Sequence, residues 1–329
     1  MLLIRYLILA LLLILASVKA SIYIDNLDRK SNISGALIGG LMLAAITSLP
    51  ELITSISSVI ILETSNPNLA FGNVFGSNMF NLLVIGVVDL IFIKRFFLDK
   101  VSKTNNKSLM FSMAMATIML IVFQFGLPFT IHVGSFTFSL VSIFILMFYV
   151  VAMSEMAKFD DDGPEDKEDV PSISIPRILL GFSFWAAILV ISSIYVTVTA
   201  DQIAQIYHLD NTFAGALFLG ICTSLPELTS TLNLVRLRNY NVAISNCIGS
   251  NIFNLAIISV VDIIYVGGNI FEIALIDAKG ATTLLYFVLF NSVVLFLALL
   301  RRKSISYISY LIPSLIIFSS YIAYMLLSL

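Results

Sequence analysis

Charge is what this sequence has least of. Only 12% of its 329 residues are Asp, Glu, Lys or Arg, against about 25% in an ordinary soluble domain. Hydrophobic residues make up 59%, and the mean hydropathy is +1.01. A soluble globular protein is excluded. Cysteine is nearly absent too: Cys222 and Cys247 both fall inside apolar segments, where they read as small buried hydrophobes. No CxxC or His-rich spacing suggests zinc or a redox pair. The two histidines, His132 and His208, fall in short connecting loops and read as surface residues. There is no basic tract interleaved with aromatics, so nucleic acid is not an expected partner. There is no Ser/His/Asp set, no HExxH and no intramembrane aspartate pair of protease type, so no enzyme is expected.

What the chain does have is apolar runs of roughly 20 residues, long enough to cross a bilayer. They predict an all-α polytopic membrane protein with ten spans, at about 2–24, 36–61, 69–93, 108–127, 134–156, 176–206, 212–236, 241–266, 280–300 and 305–328. The first has some features of a secretory signal, with Arg5, an apolar core and small residues from Ala16 to Ala20. It is kept as a span because the repeat described next needs a partner for span six. Of 18 Lys and Arg, all but Arg5 and Lys279 fall at or after the ends of odd-numbered spans. That bias places those loops in the cytoplasm and both termini outside, in the cell membrane.

The chain repeats itself. GALIGGLMLAAITSLPELITS from Gly35 is answered by GALFLGICTSLPELTS from Gly215, and GNVFGSNMFNLLVIGVVDLIF from Gly72 by SNCIGSNIFNLAIISVVDIIY from Ser245. Residues 1–156 and 176–329 therefore form two five-helix repeats. Residues 157–175 form an acidic cytoplasmic linker containing FDDDGPEDKEDVP, which reads as solvated; its order of carboxylates does not match an EF-hand loop. Five spans is an odd number, so the second half enters the membrane from the opposite side. This inverted-topology plan is typical of secondary transporters.

Each TSLPE places a carboxylate at mid-membrane, Glu51 in span two and Glu227 in span seven. A charge there costs a few kcal/mol or more, and no Lys or Arg lies at comparable depth. An unpaired buried carboxylate is either protonated or holds a cation. On a continuous helix Thr47, Ser48 and Glu51 would share a face, as would Thr223, Ser224 and Glu227. Pro50 and Pro226 lack the N–H that an upstream carbonyl needs, so distorted turns near Ala44 and Gly220 would turn oxygens toward an ion. Ser77 with Asn81, and Ser250 with Asn254, pair at i, i+4. Every donor is oxygen, which suits a hard cation such as Ca²⁺ with its 6–8 ligands and disfavours copper or zinc. Asn78 and Asn251 are expected to satisfy buried backbone. Asp89 and Asp262, a symmetric pair near span ends, read as packing or anchoring residues, with an ion entrance as the sharper alternative.

The two TSLPE…GSN-x-F-N repeats resemble the α-repeats of sodium/calcium exchangers in the calcium:cation antiporter superfamily, of the compact prokaryotic type. The resemblance implies that Glu51 and Glu227 are central ligands of Ca²⁺ and Na⁺. It further implies hydroxyl or backbone oxygens from Thr47, Ser48, Thr223 and Ser224, carbonyls from Ala44 and Gly220, and a site completed by Ser77, Asn81 and Ser250. Asn254 stands where several prokaryotic members and the potassium-dependent branch carry an aspartate, which favours a potassium-independent protein. Spans one and six are the mobile part by the same resemblance. The expected activity is electrogenic Na⁺/Ca²⁺ antiport without a cofactor or an obligate protein partner. A Ca²⁺/H⁺ antiporter of the same architecture is the nearest alternative; a channel, having no need of an inverted repeat, is disfavoured.

Overall fold

The structure, a computed structural model, describes residues 1–31, 47–102, 104–134, 136–157, 173–301 and 306–328. Helices dominate. They are α1 (Leu2–Ser31), α2 (Leu49–Ile60), α3 (Pro67–Ile91), α4 (Thr104–Phe125), α5 (Leu140–Ala157), α6 (Ile175–Tyr207), α7 (Asn211–Thr223), α8 (Leu225–Arg236), α9 (Tyr240–Ile264), α10 (Ile270–Leu275), α11 (Lys279–Leu300) and α12 (Tyr307–Ser328). Among the described residues 7 helices are long and apolar enough to cross a membrane, and 8 spans result if α7 and α8, bent by 44°, count as one. Of the other two expected spans, one is represented by α2, whose upstream part lies outside the described residues, and one by α5.

The fold is all-α and polytopic as expected, but the start of one predicted span is not helical. Thr130–Val133 (β1) and Phe136–Ser139 (β2) pair as an antiparallel hairpin, with Thr130 opposite Ser139 and Val133 opposite Phe136. The predicted span 134–156 therefore begins at Leu140. The cause is local: β-branched and aromatic residues flank Gly134, whose φ of +60° is open to glycine without penalty. His132 consequently sits on a strand rather than in a loop, exposed, with Nδ1 3.2 Å from Thr137 Oγ1. The acidic segment 158–172 lies outside the described residues.

Two kinds of apolar helix separate by burial. α3 and α9 carry polar residues among their apolar ones and are buried almost all round, as a central helix must be. They cross each other; α3 packs against α2, α7, α11 and α12, and α9 against α4, α5 and α8. α1 and α6 pack chiefly on one another. α1 exposes Leu3, Ile4, Leu7, Ile8 and Leu11, and α6 exposes Leu179, Leu180, Phe184 and Ile191. The core holds the polar side chains; the α1/α6 pair lies outside it with a lipid-facing surface.

Candidate functional site

Both TSLPE segments sit where a helix stops and restarts. Ser48 has φ −93°, ψ 9° and Ser224 has φ −92°, ψ 6°, and each is followed by a helix with proline in its first turn. Proline is tolerated there because the first N–H groups of a helix have no internal partner. The distortion expected from the prolines takes the form of a break at Ser48 and Ser224, so that Glu51 and Glu227 occupy first turns of new helices. The positive end of the helix dipole favours a carboxylate at that place. Upstream of Thr223 the distortion takes the form of a π-helical turn, Gly215–Gly220. Ala44 lies outside the described residues.

Glycine lets the two halves meet. A Cβ on Gly76 would collide with Ala216, and one on Gly220 would come within 2.8 Å of Ser77 N. Small residues at crossing points let helix backbones approach closely. Here they bring Ser77 against the π-turn: Ser77 Oγ lies 3.3 Å from the Gly220 carbonyl, to which it donates, and 3.4 Å from Thr223 Oγ1.

Around this contact lie the described members of the predicted set, all of them buried. Ser224 Oγ donates to Glu51 Oε1 at 3.0 Å, with Thr223 and Ser77 flanking the same carboxylate. Thr47 and Ser250 flank Glu227, and the two glutamates lie close enough to interact electrostatically. Among the described residues no cation pairs with either glutamate. Nor is there a cluster of three His, Cys, Asp or Glu, so carboxylate ligands alone cannot make a centre here.

Four asparagines lock the neighbouring helices together. Asn78 Nδ2 donates to the Asn251 carbonyl at 3.1 Å, and Asn251 Nδ2 to the Asn78 carbonyl at 3.2 Å. Asn81 Nδ2 donates to Asn251 Oδ1, and Asn254 Nδ2 to Asn78 Oδ1, both at 3.0 Å. The outcome for Asn81 and Asn254 is an amide held by its nitrogen with its oxygen left over. Among the described residues, the site's buried atoms without a hydrogen-bond partner are Ser48 Oγ, Glu51 Oε2, both Oε of Glu227, Ser250 Oγ, Asn81 Oδ1 and Asn254 Oδ1. All are oxygens; none is a nitrogen. Elsewhere among the described residues the buried atoms without a hydrogen-bond partner include nitrogens of Asn105, Asn246 and Asn291.

One contributor escaped the sequence reading. Asn73 Nδ2 reaches the Glu51 carbonyl at 3.1 Å and the hydroxyls of Thr54 and Ser55 at 2.8 Å each, fixing the first turns of α2 to α3. Its signal was the match of Asn73 with Asn246 inside the aligned repeats. Asp89 and Asp262 are not directed at the site. Asp89 accepts from Tyr310 Oη and, at 2.6 Å, from Ser314 Oγ. Asp262 accepts from Ser142 Oγ at 2.6 Å and from the backbone N–H of Ser139 and Ile270 at 2.7 and 2.9 Å.

Residues 4–154 and 177–329 match the profile of the family described as "Sodium/calcium exchanger protein". The chain belongs to the sodium/calcium exchanger family. It is therefore a multi-pass membrane transporter of the exchanger class. It is 25% identical over 258 residues to "Inner membrane protein YrbG" of Escherichia coli (strain K12), covering 77% of this chain and 76% of that protein. In fold it is similar to an H⁺/Ca²⁺ exchanger CAX, with a TM-score of 0.70 at 17% identity, over 99% of this chain and 86% of the other. It is also similar to the sodium-calcium exchanger NCX_Mj, with a TM-score of 0.56 at 19% identity, over 100% and 99%.

Proposed function

We propose that this exchanger moves Ca²⁺ against Na⁺ by alternating access, extruding Ca²⁺ on the Na⁺ gradient. Ten spans in two inverted five-helix units, residues 1–156 and 176–329 with both termini outside, would carry one mid-membrane site. Glu51 and Glu227 are its charged ligands. Thr47, Ser48, Ser77, Thr223, Ser224 and Ser250 supply hydroxyl or backbone oxygens, Asn81 and Asn254 amide oxygens, and Ala44 and Gly220 carbonyls. The observation that carries this reading is the unpartnered set: seven buried oxygens from six residues, with no orphaned nitrogen among them. Leaving a buried acceptor unsatisfied costs about 1–3 kcal/mol, so a set this one-sided asks for a cation. Hard cations take about 6–8 oxygens. Na⁺ and Ca²⁺ then compete for overlapping ligands, and occupancy by either lets α1 and α6 move past the core. With Asn254 neutral, two carboxylates balance one Ca²⁺, and a three-for-one exchange carries one net charge per cycle, worth about 2.3 kcal/mol per 100 mV.

The second reading is Ca²⁺/H⁺ exchange, with protons on the two glutamates in place of Na⁺; the likeness in fold to the H⁺/Ca²⁺ exchanger favours it. Ca²⁺ uptake into Na⁺-loaded proteoliposomes, with a protonophore at constant pH, separates the two. Uptake that needs internal Na⁺ is the expected result. Uptake that ignores Na⁺ and follows an imposed pH gradient would reassign the coupling ion.

A further inference from the structure

Among the described residues, α1 makes one side-chain hydrogen bond to another element. Tyr6 Oη donates to the carbonyl of Phe218 at 2.6 Å, and the two rings meet edge to face with centroids 5.2 Å apart. Phe218 lies inside the π-turn Gly215–Gly220, two residues before the glycine whose carbonyl accepts from Ser77. The phenol also contacts Cys222, which precedes Thr223. One hydroxyl of the peripheral helix therefore reads the backbone that shapes the site. In a membrane a carbonyl must find its donor within the protein, so moving α1 away from Phe218 leaves that oxygen short of one.

The bond's depth matters. With the N-terminus outside, Tyr6 lies one turn or so into α1 from the outer surface, and Phe218 two turns into α7 from the same side. α6 is tied on that side as well: Asp201 accepts from Asn66 Nδ2 at 3.0 Å, just ahead of α3. At the other end of the pair, Tyr23, Ile173, Arg177, Leu180, Gly181, Phe184 and Trp185 line an open cavity. The outer half of the pair is fastened to the core by these hydrogen bonds, whereas the cavity at its inner end opens between α1 and α6 themselves.

We infer that Tyr6 is a positioning residue, a latch whose hydrogen bond to the Phe218 carbonyl favours the outward-closed state and couples α1 to the π-turn. The inference rests on the exchange reading and on the orientation proposed for it.

A population shift has a signature that loosened packing lacks. Apparent affinity on each face scales with the fraction of molecules open to that face, so a lost latch changes the two faces in opposite senses. Tyr6→Phe keeps the ring and removes the donor. Its half-saturating Ca²⁺ concentration should fall by about fivefold on the N-terminal face, the equivalent of one ordinary hydrogen bond, and rise on the other. Tyr6→Leu, which also loses the ring contact, should move both at least as far. Equal changes on both faces, no change, or shifts of the reverse sense would overturn the latch. A readout without transport keeps it separate from the exchange reading. In a Cys247→Ser background, a membrane-impermeant thiol reagent should reach Cys222 faster from the N-terminal face in Tyr6→Phe than with Tyr6 intact, and no faster from the other. Unaltered labelling would count against the latch even if exchange is intact. Faster labelling in a protein that carries no Ca²⁺ would support the latch and sink the exchange reading.

Discussion

Asn78 and Asn251 donate to each other's main-chain carbonyls, 3.1 and 3.2 Å apart, across the crossing of α3 and α9. The pair uses both nitrogens on backbone and offers both side-chain oxygens to Asn254 and Asn81. Every amide in the ring is thereby fixed in orientation, and two oxygens have no hydrogen-bond partner among the described residues.

Asn254→Asp tests that ring. An aspartate cannot donate to Asn78 Oδ1, so two acceptors would face one another. Turning the Asn78 amide over would only transfer the clash to the Asn251 carbonyl. The ion-free variant should lose about 1–3 kcal/mol of stability, read as a lower melting temperature in detergent. Ca²⁺ should restore part of it, because a cation can bridge the extra carboxylate. A variant as stable as the parent without Ca²⁺ would show that the ring does not fix Asn254.

Glu51→Gln and Glu227→Gln should separate ion binding from folding. An amide can still accept from Ser224, but its nitrogen then occupies a position where the site offers only lone pairs. Both variants should fold, with melting temperatures at or above the parent's without Ca²⁺, since a costly buried charge is gone. Added Ca²⁺ raises the parent's stability in proportion to the logarithm of its excess over Kd, and it should leave the variants unmoved. Ca²⁺-dependent stabilisation in Glu227→Gln would remove that residue from the site.

Much of this was legible in the sequence because polar residues are costly in a membrane and therefore rare enough to align. Two mid-membrane carboxylates, the prolines beside them and the serine and asparagine pairs could be read off two matching segments. Three features were not legible. The hairpin at 130–139 replaces the first turn and a half of a predicted helix, because apolar runs of this length do not by themselves separate strand from helix. The π-turn depends on α3 pressing into α7 at Gly76 and Gly220, a tertiary contact invisible to periodicity. Asn73 was visible as a match, yet the partners that give it a role, Thr54 and Ser55, belong to another helix.

The same asparagine makes an asymmetric expectation. Asn73 anchors α2 through three acceptors, whereas the nitrogen of its counterpart Asn246 has no hydrogen-bond partner among the described residues, and Thr231 pairs instead with Cys247 Sγ at 3.2 Å. Asn73→Ala should cost about 1–3 kcal/mol and slow exchange by loosening the first turn that holds Glu51. Asn246→Ala should stay within about 1 kcal/mol of the parent. Equal losses in thermal melts of the two variants would mean that the repeats, not these contacts, set the energetics.

Asp89 and Asp262 offer a sharper contrast, because their partners differ in kind. Asp89 accepts from two hydroxyls, Tyr310 and Ser314, and a hydroxyl can turn to accept from an amide. Asp262 accepts from the backbone N–H of Ile270 on one oxygen and of Ser139 on the other, and a backbone N–H cannot reverse its role. Whichever way an asparagine is placed at 262, its NH₂ faces a donor. Asp262→Asn should therefore be destabilised by about 1–3 kcal/mol and loosen the junction of the hairpin, α5 and α10. Asp89→Asn should melt near the parent temperature and keep its exchange rate. If Asp89→Asn folded normally but failed to transport Ca²⁺, that aspartate would belong to the ion path after all, and the hydroxyls of Tyr310 and Ser314 would be its means of handing the ion on.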